Sequence, residues 1–388
     1  MAVPSKQPSI LLVVSIDAVG VARLPWIFHR VGYRVTVLTR TGVAVLRSRF
    51  VDAKITVQGG PREVAAALAA GIREYSRTYD WILPCDEPLL VAISERPDRG
   101  DIAALMPFLP PPDRLDEVLS KLTFLKRAAS LGLPVPEFRL CSSRGEAMAA
   151  ASAIGYPVVL KKAQSMAGSG VRLIQDPATM DRELAGVDDP EFMVQKCVDG
   201  RVGGSTLLME RGVPIRYFSF YKMFNWPGPF SPSGGGELKE DPQIDALVEQ
   251  VGQMEKFHGL CSIDWLEERG TGKIYLIEFN PRYTPTTYVS GWAGSDFLPA
   301  LSGMHQRTGP PVTPLRPSGH GGQVFQMFPE SAFRAIDDRD VPLFIRSLGS
   351  APWNDPGLFM AEIWRLVGHY VPASWKKLLP RTHRSRLI

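Results

Sequence analysis

Four cysteines, Cys85, Cys141, Cys197 and Cys261, are all that a chain of 388 residues contains, and no two form a CxxC pair. That scarcity excludes a disulfide scaffold and a zinc ribbon, and it fits a reducing compartment. No apolar run is long enough to span a membrane. The apolar start "SILLVVSI" is short, lacks a small-residue cleavage site and leads into a turn. It therefore reads as a first buried strand and not as a signal peptide. Six histidines show no motif spacing, which leaves no Ser–His–Asp or Cys–His arrangement to build on. The net charge of +4 is small for this length and does not suggest a nucleic-acid binder. The first turn, "SIDAVGV", lacks GxGxxG, so a dinucleotide oxidoreductase is disfavoured and a structural Rossmann-like lobe is expected. The expectation is a cytoplasmic protein with no nucleic-acid partner and no transmembrane segment.

What the chain does have is alternation of strands and helices. "SILLVVSI", "YRVTVLT", "AKITV" and "DWILPC" are separated by helical stretches, which predicts a parallel, doubly wound sheet. "MPFLPPPDR" breaks this lobe near residue 112. Apolar residues at 118, 119, 122, 125 and 128 predict one helix through "DEVLSKLTFLKRAASLG". Strands are expected at "YPVVLKK", "VRLI", "EFMVQKCV", "STLLME" and "IRYFSFYKMF", and "NWPGPFSPSGGG" is expected to be a loop. A helix starting at Pro242 precedes an antiparallel pair, "CSIDWLEE" and "KIYLIEFN", around "RGTG". Beyond residue 310 the patterning fades. The end, "SWKKLLPRTHRSRLI", is basic and aromatic, which suits either an anionic surface or a solvated terminus.

Chemistry concentrates in "YLIEFNPR". Glu278, Asn280 and Arg282 alternate on one strand, and Asp264 on the other arm of the hairpin faces the same way. Two carboxylates about 4 Å apart repel by roughly 4 kcal/mol at an effective dielectric of 20. A divalent cation removes that repulsion, and carboxylate and amide oxygens from Asp264, Glu278 and Asn280 suit Mg²⁺, with Mn²⁺ as the alternative. Arg282 would meet a phosphate or a developing oxyanion. Upstream, Lys161 ends a strand just before a turn with Gly168, Ser169 and Gly170, where backbone N–H groups can approach a phosphate. The backbone of "VQKCV" could pair with an adenine edge. Lys222, on the strand before the Pro/Gly loop, would add positive charge. Trp226, Tyr288 and Trp292 are candidates for an apolar acceptor pocket, with core packing as the alternative.

In this order the pieces resemble an ATP-grasp enzyme, best the carboxylate–amine ligase and biotin-carboxylase-like branches, over roughly residues 5 to 305. The resemblance implies α/β and α+β architecture: a Rossmann-like lobe at 1–113, ATP-grasp lobes at 114–193 and 194–309, and an unassigned extension at 310–388. It implies ATP held by Lys121, Lys161, the loop of Gly168, Ser169 and Gly170, and the hinge of Gln195, Lys196, Cys197 and Val198. Gln195 stands where an acid is common. It further implies metal bound by Asp264, Glu278 and Asn280, and catalysis assisted by Arg282. The implied reaction activates a small carboxylic acid as an acyl phosphate and joins it to an amine, releasing ADP and phosphate. The partners are then small carboxylate and amine substrates, and a homodimer is compatible. Carboxylation through carboxyphosphate, carbamoyl phosphate formation, and a regulatory nucleotide binder without turnover are the alternatives.

Overall fold

Five consecutive buried residues, Ile10 to Val14, make β1 (Ser9–Val14) a strand covered on both faces, the usual situation in a parallel sheet. The computed structural model describes residues 7–104, 114–162, 170–185, 191–226, 233–304 and 311–370. In it β1 leads through α1 (Leu24–Arg30) to β2 (Arg34–Arg40) and β3 (Ala53–Val57), and through α2 (Pro61–Thr78) to β4 (Trp81–Pro84). These strands form a parallel sheet in the order β3-β2-β1-β4, as expected. After β4 come α3 (Glu87–Ser94) and α4 (Arg99–Ala104). Asp86 caps α3 by accepting from the Leu89 backbone N–H at 3.0 Å. It also accepts from the backbone N–H and hydroxyl of Ser15, at 2.6 and 2.5 Å. Burial raises the Asp86 carboxyl above its ordinary range against these hydrogen bonds. The ends of β1 and β4 are thereby tied together beside α3.

The single helix expected across 115–131 is two. α5 (Leu115–Leu119) and α6 (Lys121–Ser130) are separated by Ser120, whose extended backbone and hydroxyl cap α6 by accepting from the Thr123 N–H. Periodicity cannot see such a break because the apolar positions stay in phase, yet it makes Lys121 the first residue of a helix. A four-stranded antiparallel sheet follows, built from β5 (Phe138–Cys141), β6 (Val158–Lys162), β7 (Val171–Ile174) and β8 (Phe192–Lys196) in the order β5-β8-β6-β7. Helices α7 (Arg144–Ile154) and α8 (Pro177–Leu184) cover one face, where Val158, Leu160, Ile174 and Val194 are buried with Ala147 and Met180. Residues two apart in a strand, and partners across it, share a face. Val159 opposite Gln195, and Lys161 opposite Met193, therefore occupy the other face.

The largest sheet holds β9 (Gly200–Glu210), β10 (Val213–Asn225), β11 (Ser233–Leu238), β12 (Gly259–Glu268), β13 (Ile274–Asn280) and β14 (Val324–Gln326), in the order β13-β12-β9-β10-β11-β14. Between β11 and β12 runs α9 (Pro242–Glu255), capped by Asp241, which accepts from the Gln243 N–H at 2.9 Å. Leu247, Val248 and Val251 of α9 and Leu122 and Phe124 of α6 enclose Trp265 and Phe279. The expected loop through "SGGG" is instead strand β11. Its glycines are there because a Cβ on Gly234 would stand 2.2 Å from the Phe224 ring, and one on Gly236 would stand 2.6 Å from those of Phe220 and Phe325. Close approach, not turning, is their purpose.

Within the unassigned segment beyond residue 310, the described residues 311–370 form a strand and helices. β14 pairs with β11 at the sheet edge. After α10 (Leu298–Leu301), three further helices, α11 (Glu330–Asp337), α12 (Val341–Ser347) and α13 (Pro356–Tyr370), follow in chain order. Trp226, offered above as a pocket candidate, packs here: its ring stacks on Phe333 at 4.0 Å and its Nε1 donates to Asp337 at 2.9 Å. The helices are bolted to the first lobe through Arg23. Its guanidinium donates to the carbonyls of Ser350 and Phe328 at 2.7 and 2.8 Å and to Glu362 at 3.1 Å. It also lies 4.4 Å from the centre of the Tyr288 ring. Burial pushes the Glu362 carboxyl up to about 8, although Arg23 pulls it back.

Candidate active site

Antiparallel pairing sets Asp264 directly opposite Glu278 and Ser262 directly opposite Asn280. A bulge between the Asp264 and Trp265 pairs lets Glu278 and the next pair, Trp265 with Leu276, both find partners. The indole of Trp265 is fully buried; it sits where a Cβ on Gly203 would come within 2.2 Å, and it donates to Ser205 at 3.0 Å. A large side chain at Gly203 would displace it, and β12 with it. On the other side, Gly204 pairs with Asp264 and leaves the carboxylate uncovered. The predicted acid pair is therefore built by register, bulge and glycine together.

The acids are not left to repel one another. Lys121, at the start of α6, reaches Glu278 at 3.0 Å. Lys222, on β10, reaches Asp264 at 2.6 Å. Lys161 comes from the four-stranded sheet and is 7% exposed, with no carboxylate in ion-pair distance among the described residues. Burial pushes the Lys161 amine down to about 8 and the nearby Lys121 lowers it further, while Glu278 and Asp264 hold it up. For Glu278, burial works to raise the carboxyl, but Lys121, Lys161 and Lys222 outweigh it and bring it below its ordinary value. Three cations thus surround two anions, and the surplus positive charge is in place for a polyanion. Such a cation excess in a partly buried cleft is a binding arrangement more than a stabilising one.

Arg282 follows β13. Its guanidinium donates to the Asn280 amide oxygen and to Glu87, both at 3.2 Å. Glu87 opens α3 in the first lobe, so this ion pair joins that lobe to the acid-bearing hairpin. Gln195 is 3% exposed, and its Nε2 has no partner among the described residues. It sits on the same face of its sheet as Lys161. Lys196 is exposed, while Cys197 and Val198 are half-buried at the end of β8. Burial raises the Cys197 thiol. Gly170 begins the approach to β7 and is buried; Gly168 and Ser169 lie outside the described residues. The structure therefore brings Lys121, Lys161, Asp264, Glu278 and Asn280 together, with Arg282 at the edge. Sequence reasoning missed Glu87, for which no local signal exists, and did not tie Lys222 to Asp264. Alternation along β10 alone does not say that Lys222 points toward Asp264.

Among the described residues no cluster of three His, Cys, Asp or Glu side chains exists. Two carboxylates and one amide oxygen do share a face, and that hard-oxygen set is enough for Mg²⁺, which keeps waters and takes phosphate oxygens. The site fits the ion.

Residues 120–190 match the family model for the ATP-binding domain of the carbamoyl-phosphate synthase large chain. The uncharacterized protein y4rH of Sinorhizobium fredii is 33% identical over 200 residues, covering 45% of this chain and 38% of that one. The D-alanine–D-alanine ligase of Xylella fastidiosa is 24% identical over 274 residues, covering 64% of this chain and 84% of the ligase. Among solved structures, the biotin carboxylase domain dimer of Hydrogenobacter thermophilus 2-oxoglutarate carboxylase, in complex with MgADP, ADP and bicarbonate, superposes with a TM-score of 0.63. It is 13% identical, with coverage of 81% of this chain and 73% of that one, so the likeness is one of fold. The matched ATP-binding segment, the likeness to a D-alanine–D-alanine ligase and the shared biotin carboxylase fold are all similarities to ATP-grasp proteins.

Proposed function

We propose that the protein is an ATP-dependent, ADP-forming carboxylate–amine ligase. The observation that carries this reading is the convergence of Lys121, Lys161 and Lys222 on the directly paired Asp264 and Glu278. In this reading Asp264, Glu278 and Asn280 hold Mg²⁺, which when bound neutralises phosphate charge during transfer. Lys121 and Lys161 hold the phosphate chain. The buried, unpartnered Nε2 of Gln195 would donate to an acceptor atom of the nucleotide base, and Lys196, Cys197 and Val198 would supply backbone contacts. Gly168, Ser169 and Gly170 are proposed to cover the phosphates.

A carboxylate is a poor electrophile. Its oxygen attacks the terminal phosphorus of ATP, ADP leaves, and an acyl phosphate results. The amine then attacks the acyl carbon, and phosphate departs with the C–O bond electrons. Arg282, which donates to Asn280 and Glu87, would hold the oxyanion of the tetrahedral intermediate. Lobes at 114–193 and 194–309 would grip the nucleotide, with the first lobe meeting the acid. No helix among the described residues is long and apolar enough to cross a membrane. An ATP consumer whose four cysteines are all unpaired suits the cytoplasm, and a homodimer is compatible with the reading.

The test is an ADP-release screen pairing carboxylic acids with amines and amino acids in Mg²⁺. An amine-dependent burst supports ligation. ADP release stimulated by bicarbonate without an amine would point to carboxyphosphate chemistry instead.

Lys161 makes a further, pH-based prediction. Near pH 8 about half of its amines are unprotonated in the free protein. An approaching polyphosphate favours the charged form, so nucleotide binding should take up protons there. Titration calorimetry of ATP in EDTA, in buffers of differing ionisation enthalpy, should show that uptake at pH 8. Affinity should fall as pH rises from 7 to 9, and Lys161→Met should abolish both effects. Proton-neutral binding by the unaltered protein would contradict the assignment.

A further inference from the structure

A cavity of about 250 Å³ lies between α1 and the chain at 287–298, and the reaction proposed above makes no use of it. One wall is helical and carries Trp26, Ile27 and Arg30; the other carries Thr287, Trp292 and Asp296. The two charged residues come from opposite walls, and neither is ion-paired among the described residues. Arg30 lies against the Trp26 ring at 5.6 Å, which orients its guanidinium without neutralising it. Asp296 uses one carboxylate oxygen to accept from the Leu298 backbone N–H at 3.0 Å, leaving the other open. Thr287 is 2% exposed, yet its hydroxyl has no partner among the described residues. A buried hydroxyl without a hydrogen bond costs free energy, and a ligand group is one way to relieve it. Ile27 and the two indoles add apolar surface to the lining.

We infer that this cavity binds an α-amino acid. A carboxylate would meet Arg30, an ammonium group would meet Asp296, and an apolar side chain would lie along Ile27 between Trp26 and Trp292. The opposite signs on opposite walls exclude a simple anion or cation site. The volume, against about 30 Å³ for a water molecule, suits a small molecule and not a peptide. This inference does not rest on the ligase reading, because it concerns binding without nucleotide.

The experiment is titration calorimetry of the full chain, without ATP, using L-leucine and L-phenylalanine as probes. Isovaleric acid and isoamylamine, each lacking one charge, serve as controls. Saturable binding of an amino acid is expected, with each control at least tenfold weaker. Arg30→Gln and Asp296→Asn should each weaken binding at least tenfold. Both side chains are exposed, so the fold should survive, as circular dichroism will verify. The inference is overturned if neither amino acid binds, if the controls bind equally well, or if both variants bind like the unaltered chain. It is also overturned if binding disappears in Asp264→Asn and persists in the cavity variants, because the amino acid would then sit at the acid pair. ADP release is scored separately, so failure of ligation and failure of this site are distinguishable.

Discussion

Glu278→Gln should lower ADP release by about a thousandfold, the scale of removing one preorganised charge from a water-poor site. Its carboxylate is the meeting point of Lys121 at 3.0 Å and of the fields of Lys161 and Lys222, and the reading above also gives it a share of the metal. The amide keeps the shape and loses the charge. Two consequences separate this from simple unfolding. The near-UV circular dichroism should be unchanged, because the core residues behind the hairpin, Phe279 and Trp265, are untouched. Nucleotide affinity measured in EDTA should rise, because the cations around the phosphates are no longer offset by this carboxylate. Turnover like that of the unaltered enzyme would sink the metal assignment.

Arg23→Ala should destabilise the protein by about 3 kcal/mol, the scale for breaking a buried charged contact from one side. The side chain is 6% exposed and makes two carbonyl hydrogen bonds, one carboxyl contact and a ring contact, so its loss leaves several buried acceptors without a donor. Arg23→Lys should restore little, because an ammonium cannot fork between two carbonyls and Glu362. Urea denaturation monitored by tryptophan fluorescence measures the loss. Limited proteolysis should release the helices beyond residue 330 before the rest of the chain. A variant as stable as its parent would show that the contact is incidental.

These two cases mark what can and cannot be read from the chain. The acid hairpin is legible because Asp264, Glu278 and Asn280 lie on adjacent strands joined by a short turn, and period-two alternation fixes their face. The parallel first lobe is legible for the same local reason. Lys121 and Lys161 are nameable only as members of a series, since Lys121 reaches Glu278 from the start of α6 while Lys161 comes from the separate four-stranded sheet. Glu87 and Arg23 are illegible: their partners lie hundreds of residues away or on another sheet, and nothing nearby in sequence announces them. The glycines of β11 misled because glycine signals both turning and tight packing, and only the Phe224 and Phe325 rings decide which. The break at Ser120 was invisible because a capped helix can restart in phase.

The short strand Val324–Gln326 has a practical corollary. A fragment cut back to residue 304, keeping every residue assigned to nucleotide and metal, would bare the hydrogen-bonding margin of Ser233–Leu238, a glycine-rich ribbon with no charge of its own to discourage stacking until Glu237. Such a trimmed protein would be expected to self-associate during purification, so the shortest well-behaved fragment is longer than the segment that carries the proposed nucleotide and metal residues.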